Sequence, residues 1–300
     1  AGTVILPVVN QGSMSVDDIY KIVSEGVAAT RVEMHGVQTG LSSAGPDLGS
    51  RKYNTLEMPR IALLIGDGVT SYEAGSNWHL LDQRYRIPIT KLTTENLGRA
   101  NLDRYNVIIM PNGNYRWGKN EADKLREWGS AGGTLVAQKN ANRWCANNKL
   151  AQLTPVEWSK EESAQRPYGK LSRDNGGRVL GGSIFNTEVD LTHPLLYGFG
   201  REELPVFQRG NLFYQPTENP YATPIRFTEA PLLSGYVHPN SLEALSGSAA
   251  IIVSGYGRGR TISMMQEPAF RAFWFGTSKL LANAIFFGTT ISSGAREMIK

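Results

Sequence analysis

RIALLIGDGVTSYEAGSNWHLLDQRY, residues 60–85, reads as a buried strand, a glycine turn and a helix in immediate succession. The apolar run Ile61 to Ile65 has no polar alternation, which is the pattern of a strand covered on both faces. It ends in Gly66-Asp67-Gly68, and Ser71 then opens a helix. In that helix Ala74, Trp78, Leu81 and Tyr85 fall at i, i+4, i+7 and i+11 on one side. The same grammar continues downstream. A second strand is expected at 87–92 and a third at 105–110, where the chain turns at Pro111-Asn112-Gly113-Asn114. A helix follows at 121–128, stopped by Gly132-Gly133, and then the buried strand Thr134 to Gln138. Strands alternating with helices predict an α/β fold, a largely parallel sheet with helices on both faces.

Outside this core the signals differ. Upstream, 3–9 is rich in β-formers, Ser15 caps a helix with Asp17 and Asp18 in its first turn, and a second strand is expected at 31–37. Val16, Ile19, Val23 and Val27 would form that helix's apolar stripe, completing a small N-terminal βαβ segment. Residues 40–59 are crowded with Gly, Ser, Pro and Asn and read as a linker, so the segment with its linker spans 1–58. The α/β domain then covers 59–290, and 291–300 reads as a tail. Within the domain, 151–239 reads as loops and short antiparallel strands, and 249–254 pairs with 260–265 as a hairpin. A closing helix is expected to place Phe270, Phe273, Trp274, Thr277, Leu281, Ala284 and Ile285 on one face.

Composition narrows the function classes. With 41% hydrophobic and 19% charged residues over 300 positions, the chain has enough apolar material for a large core and is not intrinsically disordered. A net charge of +4 is too slight for a nucleic-acid-binding field. No run approaches the ~18 consecutive apolar residues of a membrane span, and the opening AGTVILPVVN lacks a signal peptide's basic and long apolar regions. The single cysteine, Cys145, excludes an internal disulfide and any multi-cysteine metal site.

In open α/β sheets, ligands gather at the carboxyl ends of the strands. Those ends here are 66–71, 111–116 and 139–143. They supply the carboxylates Asp67 and Glu73, the hydroxyl of Ser71, the amides of Asn112, Asn114, Asn140 and Asn142, and the guanidinium groups of Arg116 and Arg143. Tight turns need Gly and Asn in any case, so these residues fit ordinary turns as well as a pocket. Cys145 has no basic partner at diagnostic spacing and reads as structural. No HExxH occurs, His79 with Asp82 is a lone i, i+3 pair, and His193 and His238 each precede proline, so no zinc site is expected. GYGRGR at 255–260 reads as a hairpin turn.

The 60–85 segment, YNVIIMPNG, GGTLVA, NPYATPIRFTEAPLLSGY (219–236) and GRGRTISMMQEPAFRAFWFGTSKLLANAIFFG (257–288) together resemble the C-terminal region of large bacterial zinc carboxypeptidase-like proteins. In that family a metallocarboxypeptidase domain precedes a class I glutamine amidotransferase-like domain of flavodoxin-like, three-layer architecture. The resemblance implies that zinc belongs to a catalytic domain missing from this chain, since no HxxE pair occurs here. It implies an N-terminal carboxypeptidase-like partner domain on the same polypeptide and export to the periplasm or the exterior. A cytoplasmic location stays compatible with the composition. It places the amidotransferase nucleophile in the turn after Thr134 to Gln138, where this chain has Lys139-Asn140-Ala141-Asn142. Glu267 stands in a suggestive place after the strand at 260–265. The expectation is a non-catalytic accessory domain without metal or cofactor, whose cleft is lined by Asp67, Ser71, Glu73, Asn112, Asn114, Asn140, Arg143 and Glu267. Two alternatives are carried beside it. One is a hydrolase or amidase using Cys145 or the pair Asp67 and Glu73, and the other is a peptide- or glycan-binding module with Tyr72, Tyr115 and Trp117 as stacking surfaces and Arg143 pairing a carboxylate.

Overall fold

The structure, a computed structural model, describes residues 2–9, 11–30, 32–157 and 167–299. It divides into two units, 2–55 and 56–300.

In the first unit, α1 (Val16–Thr30) forms where the cap predicts. Ser15 Oγ accepts from the Asp18 N–H and the Asp18 carboxylate accepts in return from the Ser15 N–H, both at 3.1 Å. The flanking runs form no strand among the described residues, so the expected βαβ segment reduces to a helix between extended arms; Arg31 lies outside the described residues. A β-rich run stays unpaired unless a partner strand covers its edge, and here none does. Val4, Leu6, Val8, Val9, Val32, Met34 and Val37 are all exposed, and of the expected helical stripe only Ile19 is buried.

The second unit is built on one sheet. Its parallel half consists of β1 (Ile61–Ile65), β2 (Ile89–Thr93), β3 (Val107–Met110), β4 (Thr134–Gln138) and β9 (Gly259–Met264). Its antiparallel half consists of β5 (Ser183–Val189), β6 (Glu203–Gln208), β7 (Ile225–Ser234) and β8 (Ala249–Tyr256). The order is β2-β1-β3-β4-β9-β8-β7-β5-β6. The hairpin of β8 and β9 joins the two halves, pairing antiparallel within itself while β9 runs parallel to β4. The expected tail is part of the sheet instead: β10 (Glu297–Met298) pairs parallel with β8, and Ile291 is buried.

Alternation along the central strands divides the core into two layers. Leu63, Ile109 and Val136 face a cluster with Leu80, from the helical turn His79–Arg84 that continues α2 (Ser71–Trp78), and with Leu280, Leu281 and Ala284 from α7 (Phe275–Phe287). Leu64, Ile108 and Leu135 face Leu125, Trp128 and Cys145, from α3 (Lys119–Ser130) and α4 (Ala141–Asn147). A helical layer therefore lies on either face of the sheet. The short helices α5 (Leu171–Arg178) and α6 (Pro239–Leu245) complete the set, and no helix among the described residues is long and apolar enough to cross a membrane.

The closing helix departs from expectation at its start. Phe270, Phe273 and Trp274 precede α7, in a turn where Arg271 and Ala272 take left-handed φ of +47° and +57°. Phe270 stacks on Phe207 of β6 with ring centroids 3.9 Å apart, so this aromatic contact replaces the expected helical stripe.

Candidate functional site

The parallel strands β1, β3, β4 and β9 deliver their carboxyl ends to one edge, and a short network ties those ends together. β4 runs directly into Lys139, whose φ of +51° costs a residue with a Cβ about 1 kcal/mol. The turn is held in that shape from two sides. The Lys139 N–H and the Asn142 side-chain amide both donate to the Met264 carbonyl at the end of β9, at 2.9 Å each. The Asn140 N–H donates to Asn112 Oδ1 at 3.1 Å. Asn112 in turn reaches the loop after β1: its amide donates to Thr70 Oγ1 at 3.2 Å and its carbonyl accepts the Thr70 N–H at 2.9 Å. The Asn114 N–H closes the seam on the Gly68 carbonyl at 2.7 Å.

Above this turn α2 presents Glu73. A reciprocal amide pair sets the height of the helix: Asn77 donates to Gln138 Oε1 at 3.0 Å and Gln138 donates to Asn77 Oδ1 at 2.9 Å, both side chains fully buried. Lys139 Nζ then lies 2.6 Å from Glu73 Oε1, and the two side chains are only 11% and 5% exposed. Both charges are largely taken from water, so each depends on the other.

Glu267 completes the polar floor. Burial, and then the neighbouring Glu73 carboxylate, push its carboxyl up to about 7 against the opposing pull of Lys139 and Arg209. The folded chain therefore holds a proton there that the unfolded chain releases. That contribution to stability is full below about pH 4.5 and is lost as pH rises through about 7. His193 acts in the opposite sense. Burial lowers it from 6.5 to about 4, with Asp190 opposing, so its contribution is present above about pH 6.5 and lost as pH falls through about 4. Glu267→Gln removes the first effect and leaves the second. Relative to wild type, the unfolding free energy of this variant is expected to rise between pH 4.5 and 7 by on the order of 2 kcal/mol. Denaturant melts across that range check it, and parallel curves for the two proteins would contradict it.

Glu73, Lys139 and Glu267 line a cleft of about 900 Å³ with Thr70, Ser71, Tyr72, His79, Asn112, Arg209, Phe270 and Arg271. Of the residues expected from the sequence, Ser71, Glu73, Asn112 and Glu267 come together here. A neighbouring pocket of about 430 Å³ shares Asn112, Lys139 and Arg209 with the cleft and adds Asn140 and Arg143. Asn114 lines a third pocket, again with Asn140 and Arg143. Asp67 joins none of these: it is exposed, its N–H donates to Glu95 Oε1 and its carbonyl accepts from Thr94. The carboxyl beside Glu73 is thus Glu267 and not Asp67.

Cys145 is structural, as its lack of a basic partner predicts, and the two alternatives carried beside the accessory reading each lose a residue. Cys145 is wholly buried in α4 next to Met110 Sδ at 3.9 Å, and burial pushes its thiol far above the ordinary range, so it is no nucleophile. Tyr115 is buried, donates its hydroxyl to the Pro111 carbonyl and packs at 4.8 Å on Trp117, which makes it a strut of the loop; of the expected stacking surfaces, Tyr72 alone lines the main cleft. Sequence reasoning missed Lys139 as a cleft residue, together with Arg209, His79 and Arg271. The signal for Lys139 was present: a charged residue directly after a buried strand, at the turn where this fold works.

No protein-family model matches the chain, and no curated protein matches it. Solved structures do. A ThuA-like protein from Parabacteroides merdae is similar over 78% of this chain and 92% of its own, at 14% identity and a TM-score of 0.52. PurLQS from Thermotoga maritima is similar over 76% of this chain and 97% of the other, at 13% identity and a TM-score of 0.50. A glutamine amidotransferase, also from Thermotoga maritima, covers 71% of this chain and 77% of its own, at 12% identity and a TM-score of 0.43. The fold is the flavodoxin-like α/β fold of the class I glutamine amidotransferase-like proteins.

Proposed function

We propose that this chain is a non-catalytic, ligand-binding accessory domain of a zinc carboxypeptidase-like protein, with binding at the cleft over Lys139. One observation carries the reading: the turn that the amidotransferase-like fold uses for its nucleophile keeps a left-handed φ but holds a lysine locked to Glu73 at 2.6 Å. An ammonium in a buried ion pair has no free electron pair to attack a carbonyl. Nucleophilic catalysis therefore has no agent at the elbow, while hydroxyls, amides and charged groups still converge there as they do in binding sites. The partner domain and an exported location follow from the sequence resemblance.

A second reading, a hydrolase, is favoured by Glu267 alone. A carboxyl that holds its proton near neutrality beside the Glu73 carboxylate is the arrangement of an acid and base pair. One assay separates the two. The purified chain is incubated with glutamine and with peptide anilides, and ammonia or aniline release is followed for wild type, Cys145→Ala and Glu267→Gln. The accessory reading predicts no turnover above the uncatalysed rate in any of the three. Turnover that survives Cys145→Ala and metal chelation would sink it, and loss of that turnover in Glu267→Gln would establish the hydrolase.

A further inference from the structure

We propose that the pocket beside the main cleft, between Arg143 and Arg209, binds a small carboxylate with a short aliphatic body; this rests on reading the cleft as a ligand site and names the ligand's chemistry. The pocket's polar lining is one-signed. Arg143, Arg209 and Lys139 face it with Asn112, Asn140 and Gln208, and no aspartate or glutamate lines it. Lys139 is already neutralised by Glu73. The two arginines form no salt bridge among the described residues and both are exposed; Arg209 acts on Glu267 in the main cleft, while Arg143 lines only pockets without a carboxylate. Two guanidinium groups outside any salt bridge, in one concavity without a carboxylate in its lining, attract an anion, and their planar forks match a carboxylate in two-point contact.

The rest of the lining selects among anions. Leu180, Leu212 and Met265 supply an apolar wall, which suits a short hydrocarbon body and offers nothing to a bare inorganic ion. The asparagines supply amide donors for carboxylate oxygens that the arginines leave free. About 430 Å³ is room for a ligand of a few carbons with its first water shell.

Titration calorimetry of the folded chain with succinate, and in a parallel arm with inorganic phosphate, tests the assignment. Succinate is expected to bind saturably, with Arg143→Gln and Arg209→Gln each weakening it at least tenfold. Arg99→Gln, at an exposed arginine that lines none of these pockets, is expected to leave it unchanged. Phosphate binding as tightly as succinate would overturn the carboxylate assignment. No saturable binding of succinate, or binding indifferent to both pocket variants, would overturn the site. Failure here with no hydrolysis in the turnover assay sinks only this inference, whereas turnover there would remove the reading on which it rests.

Discussion

Lys139→Met is expected to lower the unfolding free energy by about 3–5 kcal/mol, the cost of leaving one partner of a buried ion pair uncompensated. Glu73 is 4% exposed, and without Lys139 its carboxylate would have to take up a proton or draw in water. Surface ion pairs offer the contrast. Lys119 with Asp123 is an i, i+4 pair at 2.8 Å whose lysine is 87% exposed, and Lys119→Met should change stability by no more than about 0.5 kcal/mol. The two variants differ by one side chain of the same type removed from an ion pair of similar length, so burial alone separates them. Chemical denaturation with a shared slope measures both, and equal effects would contradict the account of Lys139.

Gly68→Ala is the second large expectation, a loss of more than about 3 kcal/mol. Gly68 has a φ of +78°, which side chains rarely adopt, and a Cβ built on it would lie 2.5 Å from the Asn114 carbonyl oxygen. That oxygen is backbone in a loop whose neighbour, Asn112, also holds Thr70 and Asn140, so it has no room to retreat without opening the seam between three strand ends. The cleft should suffer with the fold: any ligand bound there should bind more weakly even where the variant remains folded. Gly75→Ala makes the control, because Gly75 lies in α2 with nothing within 4 Å of an added Cβ. It should gain about 0.5–1 kcal/mol from helix propensity. A Gly68→Ala protein as stable as wild type would show that the interlocked loops do not hold the site.

What the sequence made legible follows from how each element is stabilised. β1, β3 and β4 were readable because strands buried on both faces must be apolar throughout, and the hairpin of β8 and β9 was readable from its glycine turn. The arms around α1 were misread because β propensity describes a pleated surface that needs a partner, and 3–9 and 32–37 have none among the described residues. Phe270 and Phe273 fitted a helical period, yet a stacking contact with Phe207 from a distant strand decided their conformation. In the site, Ser71, Glu73, Asn112 and Glu267 could be anticipated because each directly follows a strand of the parallel half or its turn. Arg209 could not, since it follows β6, and nothing local in the sequence says that the antiparallel half brings this edge strand's end to the cleft. Lys139 was legible as a charged residue in the turn after β4, but its partner was not. Its ion pair depends on the height of α2, which the distant amide pair of Asn77 and Gln138 determines.

The central claim is that the elbow is occupied by a lysine whose charge is committed to Glu73, and a double-mutant cycle reads that commitment directly. Unfolding free energies of wild type, Glu73→Gln, Lys139→Met and the double variant give the coupling between the two side chains. The buried geometry predicts at least about 2 kcal/mol of coupling, with the double variant more stable than the sum of the single losses implies. Additivity within about 0.5 kcal/mol would contradict it, and would leave Lys139 free to act on a substrate.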